Sequence, residues 1–546
     1  MFVQQVDFVK HSKNYYIAGI VMCLLALSFG GYYDFVSTIF ASVLIVVFLF
    51  QILSGKCKIQ EVTDSFWFGC MLFAGYGLSI FYAVDSGIAV EGFAKKSLFF
   101  VWGCFLLLLN KKEKEGLLFW VPYIGAVMVL SCGIAYFIPG LREYVFVQNR
   151  LSGWFQYANT CGGFLLAGGV LLFQKEKKSK WDYAALLLLL VGILMTGSRS
   201  TMLLLVVSFC YFMLKKPELR KWLCLGGAAL ILIIFALVVI TGNTDNIARI
   251  TTIFTNSSTV FGRALYNFDG ITQVWKHPFG LGYLGFYFIQ NKVQTGVYSV
   301  RYVHNDWLQI GLDIGVIPML FILAILIRNL WKQRKKEPYF MVLLVLFLQG
   351  FMEFNIEYSV MGLLLMLCLQ EQTVPVVNGK VIKRACLGVC AIALIPLIYV
   401  SVPLTLAYMD HSALALKYYP WETNEQLKQL SVCTDEAEAK MIAKNILARN
   451  ETCFLAYDAL AIVAINEGEY EEAVAYMKKS IEYNRFEVQG YEQLEWLLSQ
   501  IIEQEVVEDS SYYQMEYQNL QRLKEENQAA VSYFGRKIRD KVQLLE

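Results

Sequence analysis

Four short segments of this chain carry residue types that can bind an oxyanion and move a proton. The first is Arg150-Leu-Ser-Gly153-Trp-Phe-Gln-Tyr-Ala-Asn159, and the second is Thr196-Gly-Ser-Arg199-Ser-Thr. The third is Gly262-Arg263, followed by Trp275-Lys-His277-Pro278-Phe-Gly280-Leu-Gly282. The fourth is His304-Asn305-Asp-Trp-Leu308-Gln-Ile-Gly-Leu-Asp313. Arginine presents a planar fork of donors and keeps its charge, which suits phosphate oxygens. Histidine titrates near neutrality and can accept a hydroxyl proton. No Asp-x-Asp pair stands in these segments to hold a divalent metal. Neither a metal nor a cofactor is expected.

Each of these residues also has a plainer reading. Arg199 could snorkel from a helix end to the interface, although a charge in so tight a turn between two apolar runs is costly. Arg263 could be a solvated loop arginine. Arg150 follows a polar loop. His304 could be a hydrogen-bonding interface residue, and His277, before Pro278, reads as a turn residue. Lys95 and Lys96 at a span start read as snorkelling. Glu353 and Glu357 could shape an acceptor site or face water.

The elements that hold these segments are apolar. The chain has 546 residues, of which 57% are hydrophobic and 17% charged, below the roughly 25% charge of a soluble domain. Crossing roughly 30 Å of hydrocarbon takes about 20 apolar residues. The spans expected are 15–31, 34–53, 65–83, 93–109, 117–138, 157–173, 182–196, 200–214, 222–241, 306–327, 338–356, 358–371 and 386–407. This predicts an all-α, polytopic transmembrane helical bundle of about 12–13 spans. Lys10 and Lys13 precede the first apolar run without a clear cleavage site, which reads as an uncleaved span.

Basic clusters at 10–13, 56–58, 111–114, 175–180, 215–221, 328–336 and 380–384 fall on one side of this map. The other side holds only scattered Arg142, Arg150, Arg199, Arg249, Arg263, Lys276, Lys292 and Arg301. The positive-inside rule then puts the N-terminus in the cytoplasm of a multi-pass cell-membrane protein, and the four segments outside. The long connection 242–304 is rich in aromatic residues and reads as a functional outer loop. The cysteines sit mostly in apolar runs and show neither a disulfide framework nor metal spacing. No broad basic face points to nucleic acid.

In order, the Ser-Arg-Ser turn, the His-Pro-x-Gly-x-Gly loop and the His-Asn-x-x-Leu segment resemble the O-antigen ligase and O-antigen polymerase family. The resemblance covers about 140–330, and the family pattern carries Glu where this chain has Asp313. It implies a metal-independent glycosyltransferase of the GT-C type. Such an enzyme moves a glycan from undecaprenyl diphosphate to a hydroxyl of a lipid, glycan or protein acceptor on the outer face. In this reading Arg199 and Arg263 hold the diphosphate and His304 activates or orients the acceptor. Arg150, Asn159, Asn305 and Asp313 bind substrate. Two other classes fit the composition: a lipid-linked oligosaccharide flippase, and a non-catalytic assembly scaffold. A flippase should carry charges inside its spans, and here the spans are nearly uncharged.

The domain boundary falls at 409/410, where the composition becomes that of a soluble helical tail. Tyr457–Ser480 resembles a tetratricopeptide repeat, with Gly468 at the turn and Ala473 at the close packing point. The tail is expected outside, either as a structural cap or as the seat of a protein partner. Cys433 and Cys453 could pair there. The last stretch, about 510–545, reads as one long helix.

Overall fold

The computed structural model describes residues 11–54, 62–217, 220–221, 227, 257–334, 339–370, 372–374, 379–503 and 510–545. The predicted span 222–241 except residue 227, the loop stretch 242–256 with Arg249, and Lys10, Lys56, Lys58, Lys335 and Lys336 lie outside the described residues. Lipid offers no partners to a backbone, so the apolar runs close their hydrogen bonds within themselves as helices. The described chain is an all-α membrane protein. Its only strands are two short antiparallel pairs, Val62–Thr63 with Gln372–Val374 and Phe146–Val147 with Arg150–Leu151. Four described helices are long and apolar enough to cross a bilayer: Asp34–Leu53, Lys111–Ala135, Val316–Gln333 and Val381–Tyr408. Shorter apolar helices cover Lys13–Leu27, Ala158–Gln174, Tyr339–Gln349 and Ser359–Cys368.

Two expected helices are corrected. The predicted span 306–327 is broken at Gly315 (φ 93°) into Asp306–Ile314 and Val316–Gln333. A Cβ at Gly315 would lie 2.5 Å from the Pro278 carbonyl oxygen, so the helix ends where another backbone crosses it. The stretch predicted as one helix over 510–545 is helical only over Ser511–Ala529, followed by a short turn at Gly535–Lys537.

The chain divides into two compact units. The first comprises Met1–Ala74, Ala94–Ile253 and Leu320–Ser401. Its packing uses small residues to bring helices close. A Cβ on Gly163 would fall 2.0 Å from the Gln349 side chain, and one on Gly168 would fall 3.1 Å from the Pro122 backbone. Lys95 and Lys96 do not snorkel, because both side chains are fully buried and meet carboxylates from distant segments. Lys95 pairs with Asp34 at 3.0 Å and Glu357 at 3.3 Å, and Lys96 with Glu357 at 2.6 Å. Lys95 also donates to the Tyr32 carbonyl at 2.6 Å.

The second unit comprises Gly75–Phe93, Phe254–Met319 and Val402–Glu546. Asp85 ties its segments together. Its carboxylate accepts from Ile88 N (3.0 Å), Thr423 Oγ1 (2.7 Å) and Asn450 Nδ2 (3.1 Å). In the tail, the Phe454–Glu467 helix ends at Gly468 (φ 77°), where the absence of a Cβ permits the left-handed cap. The Tyr470–Tyr483 helix follows, with Ala473 fully buried. Cys433 and Cys453 are free thiols.

Glu422 caps the Thr423–Val432 helix, accepting from the Glu425 backbone and from Asn424 Nδ2 at 3.0 Å. Burial pushes its carboxyl up to about 7 against the help of these donors, and the Glu425 and Asp85 charges add to the rise. A folded pKa above the unfolded value gives stability that is full below the ordinary carboxylate range and is lost as pH rises through about 7. The tail of the purified protein is therefore expected to resist protease better at about pH 5.5 than at about pH 8.5. Glu422→Gln should remove that difference, and an unchanged pH slope in this variant would assign the effect elsewhere.

Candidate functional site

In the first unit a two-residue hairpin turn, with Gln148 and Asn149 at positive φ (53° and 58°), presents Arg150. Its guanidinium is half-buried. Nε donates to the Thr196 carbonyl at 2.7 Å and Nη2 to Asn159 Oδ1 at 2.8 Å. Thr196 is the last residue of the Lys180–Thr196 helix. Gly197 (φ 55°) ends that helix, and Ser198 caps the Arg199–Lys215 helix by accepting from Thr201 N at 3.3 Å. The Thr196–Thr201 region is thus a tight turn between two helices, and Arg199, half-buried, is the first residue of the second.

Glu353 gathers these pieces. Fully buried, it accepts from Asn159 Nδ2 (2.9 Å), Tyr157 Oη (2.7 Å) and Ser200 Oγ (3.1 Å). Arg150, Asn159 and the residue next to Arg199 therefore share one polar knot. Aromatic rings flank it: Tyr157 stacks on Phe354 at 4.9 Å and on Tyr358 at 6.1 Å. The sequence alone leaves Glu353 open between shaping an acceptor site and facing water, because its only local signal is a carboxylate at the end of an apolar run.

In the second unit Arg263, half-buried, stands on the Ser257–Lys276 helix. Tyr266, one turn later and so on the same face, sets its ring against His304, with centroids 5.5 Å apart and planes at 33°. Asn305 caps the Asp306–Ile314 helix, its side-chain oxygen accepting from Leu308 N at 3.1 Å. Asp313 is fully buried, accepting from Tyr76 Oη (2.7 Å) and Gln309 Nε2 (2.8 Å). Gln309 Oε1 in turn accepts from the backbone of Val303, the neighbour of His304, at 2.9 Å. Asp313 thus fixes Gln309, which holds the backbone next to His304.

The His-Pro-x-Gly-x-Gly loop has a local reason. Leu281 N and Gly282 N bond to the Leu312 and Asp313 carbonyls at 2.7 and 3.0 Å, and Val316 N bonds to the Pro278 carbonyl at 2.9 Å. Gly280 (φ 93°) has no room for a Cβ, which would lie 2.5 Å from the Asp313 carbonyl oxygen. His277 itself is exposed at this turn.

Residues 184–323 match the family model described as O-antigen ligase. The chain carries an O-antigen ligase domain. The domain takes in Arg199, Arg263, His304, Asn305 and Asp313, while Arg150 and Asn159 precede it. No curated protein matches the chain. Of the expected site residues, Arg150 and Asn159 meet directly and share the first unit with Arg199. Arg263, His304, Asn305 and Asp313 belong to the second. Among the described residues no group of three or more His, Cys, Asp or Glu side chains could hold a metal ion.

Proposed function

We propose that this protein takes a glycan from undecaprenyl diphosphate on the outer face of the cell membrane and transfers it to a hydroxyl acceptor, without a metal. At the general level, membrane glycosyl transfer of the O-antigen ligase or polymerase type follows from the domain at 184–323. Arg199 and Arg263 neutralise the departing diphosphate. His304 accepts or orients the acceptor proton. The acceptor oxygen attacks the anomeric carbon opposite the leaving group, inverting the configuration. Arg150 and Asn159 hold the arginine turn, and Asn305 and Asp313 hold His304. The acceptor is a glycan, lipid or protein hydroxyl, and polymerisation of a surface polysaccharide is the form we favour.

The observation that carries this reading is that Tyr266, one turn from Arg263 on the same helix, sets its ring against His304 within the residues that match O-antigen ligase. The outer placement of the tail draws support from its direct bonds to the loop. Arg485 N donates to the Asn291 carbonyl at 3.2 Å, and Lys292 pairs with Glu482 at 2.8 Å. Two segments so bonded share one side of a membrane.

The test is transfer from a lipid-linked glycan in membranes. Losing one preorganised donor at a developing negative charge costs about 10²–10³-fold in turnover. Arg263→Ala should show a loss of that size at normal protein abundance. Parental turnover by a stably inserted Arg263→Ala would remove the diphosphate role.

A further inference from the structure

The end of the tail docks onto the loop that carries Arg263 and His304. Gly296 in the loop and Gly535 in the tail pass backbone to backbone. A Cβ on Gly296 would fall 2.5 Å from Gly535 Cα, and one on Gly535 would fall 2.4 Å from the Thr295 carbonyl oxygen. Neither glycine has a positive φ, so the requirement is for space and not for backbone freedom. Ser532 N donates to that same Thr295 carbonyl at 2.9 Å, and the two hydroxyls lie 3.0 Å apart. Phe534 sets its ring 6.1 Å from that of Phe268.

From Thr295 the contacts run inward. Thr295 donates to Asp269 through its backbone N (2.9 Å) and its hydroxyl (2.8 Å), and Tyr298 Oη donates to the same carboxylate at 3.1 Å. Asp269 is buried on the helix that bears Arg263 and Tyr266. Tyr298 and His304 both pack against the Tyr266 ring, with centroids at 6.0 and 5.5 Å. A side chain at position 535 would press on Thr295, and Thr295 has two bonds to the Arg263 helix.

We infer that the tail segment 531–537 is a positioning element of the transfer reaction, which fixes the Arg263 helix and His304 through Thr295 and Asp269. The inference rests on the reading of Arg263 and His304 given above. It assigns the end of the tail a task within the chain itself. Misplacing reacting groups by about 1 Å can cost about a hundredfold in rate. A wedge at this crossing should therefore lower kcat without loosening the binding of distant parts of the substrate.

The experiment uses the full-length protein in membranes, with lipid-linked glycan as the probe. Three variants run beside the parent: Gly535→Val as the wedge, Arg263→Ala as the test of the site, and Leu494→Ala. Leu494 is buried in the same tail core as Val531, so its variant weakens the tail without adding a side chain at the crossing. Gly535→Val is expected to lose at least about tenfold in kcat, with KM for the donor within about twofold. Leu494→Ala, at equal or greater protease sensitivity of the tail, should lose less. Parental kcat in Gly535→Val while Arg263→Ala is inactive would overturn the positioning role and leave the site intact. A loss in Leu494→Ala equal to that of the wedge would overturn it too, because general tail integrity would then be the cause. Full activity in Arg263→Ala would instead sink the underlying reading of the site.

Discussion

Glu357→Ala is expected to lower the stability of the folded protein by about 3–5 kcal/mol, the usual cost of removing one partner of a buried ion pair. Glu357 is the carboxylate that Lys95 and Lys96 share, and both lysine side chains are fully buried. Its loss leaves Lys95 with Asp34 at 3.0 Å and takes from Lys96 a partner at 2.6 Å. The measurement is the midpoint of thermal unfolding in detergent, together with abundance in the membrane. Adding Lys96→Met to Glu357→Ala should recover a good part of the loss, since removing both charges is much cheaper than stranding one. A midpoint for Glu357→Ala within about 2 °C of the parent would show that the cluster contributes little.

The second large effect is on activity. Glu353→Ala is expected to reduce transfer by about a hundredfold, because the groups it holds would no longer be fixed to the ångström that catalysis needs. In the proposed reaction it is a positioning residue. Its oxygens anchor Asn159, which anchors Arg150, and Ser200, which follows Arg199. Glu353→Gln retains one acceptor oxygen and should recover part of the rate. The readout is kcat and KM for the lipid-linked donor at matched protein amount. A parental kcat in a folded Glu353→Ala would detach the polar knot from the reaction.

The sequence made some of this visible and hid the rest for identifiable reasons. Apolar runs such as 34–53 and 157–173 announce their helices, because hydrophobic length and the absence of breakers are local properties. The turn at Gly197–Ser198 follows from the basic-residue map, since a single span there would put the clusters at 215–221 and 328–336 outside. The break at Gly315 was not readable, since it depends on the backbone of Pro278 and Phe279 crossing there. Lys95 and Lys96 looked like interface residues because their carboxylates come from positions 34 and 357, far along the chain. Arg150 and Asn159 were found as one motif, and they do meet. Glu353 was not chosen, because its importance comes from Tyr157, Asn159 and Ser200, which no spacing connects to it. Asp313 shows in the sequence only as a carboxylate where the resembled family carries Glu. Its partners Tyr76, from a distant helix, and Gln309, which also holds Val303 N, come into view only in the fold.

Asp85 sets a timetable for the making of this protein. Its partners Thr423 and Asn450 follow it by 338 and 365 residues. At a synthesis rate of about 5–20 residues per second, the early segment waits on the order of tens of seconds for them. Until then its carboxylate has no reason to leave water, and the second unit cannot close around it. Closure of that unit is therefore a late and slow event, as non-local pairings are. A message that stops before codon 423 yields a chain whose early half is complete in sequence and still cannot finish folding. Quality control can recognise such a chain by the apolar surface it leaves uncovered.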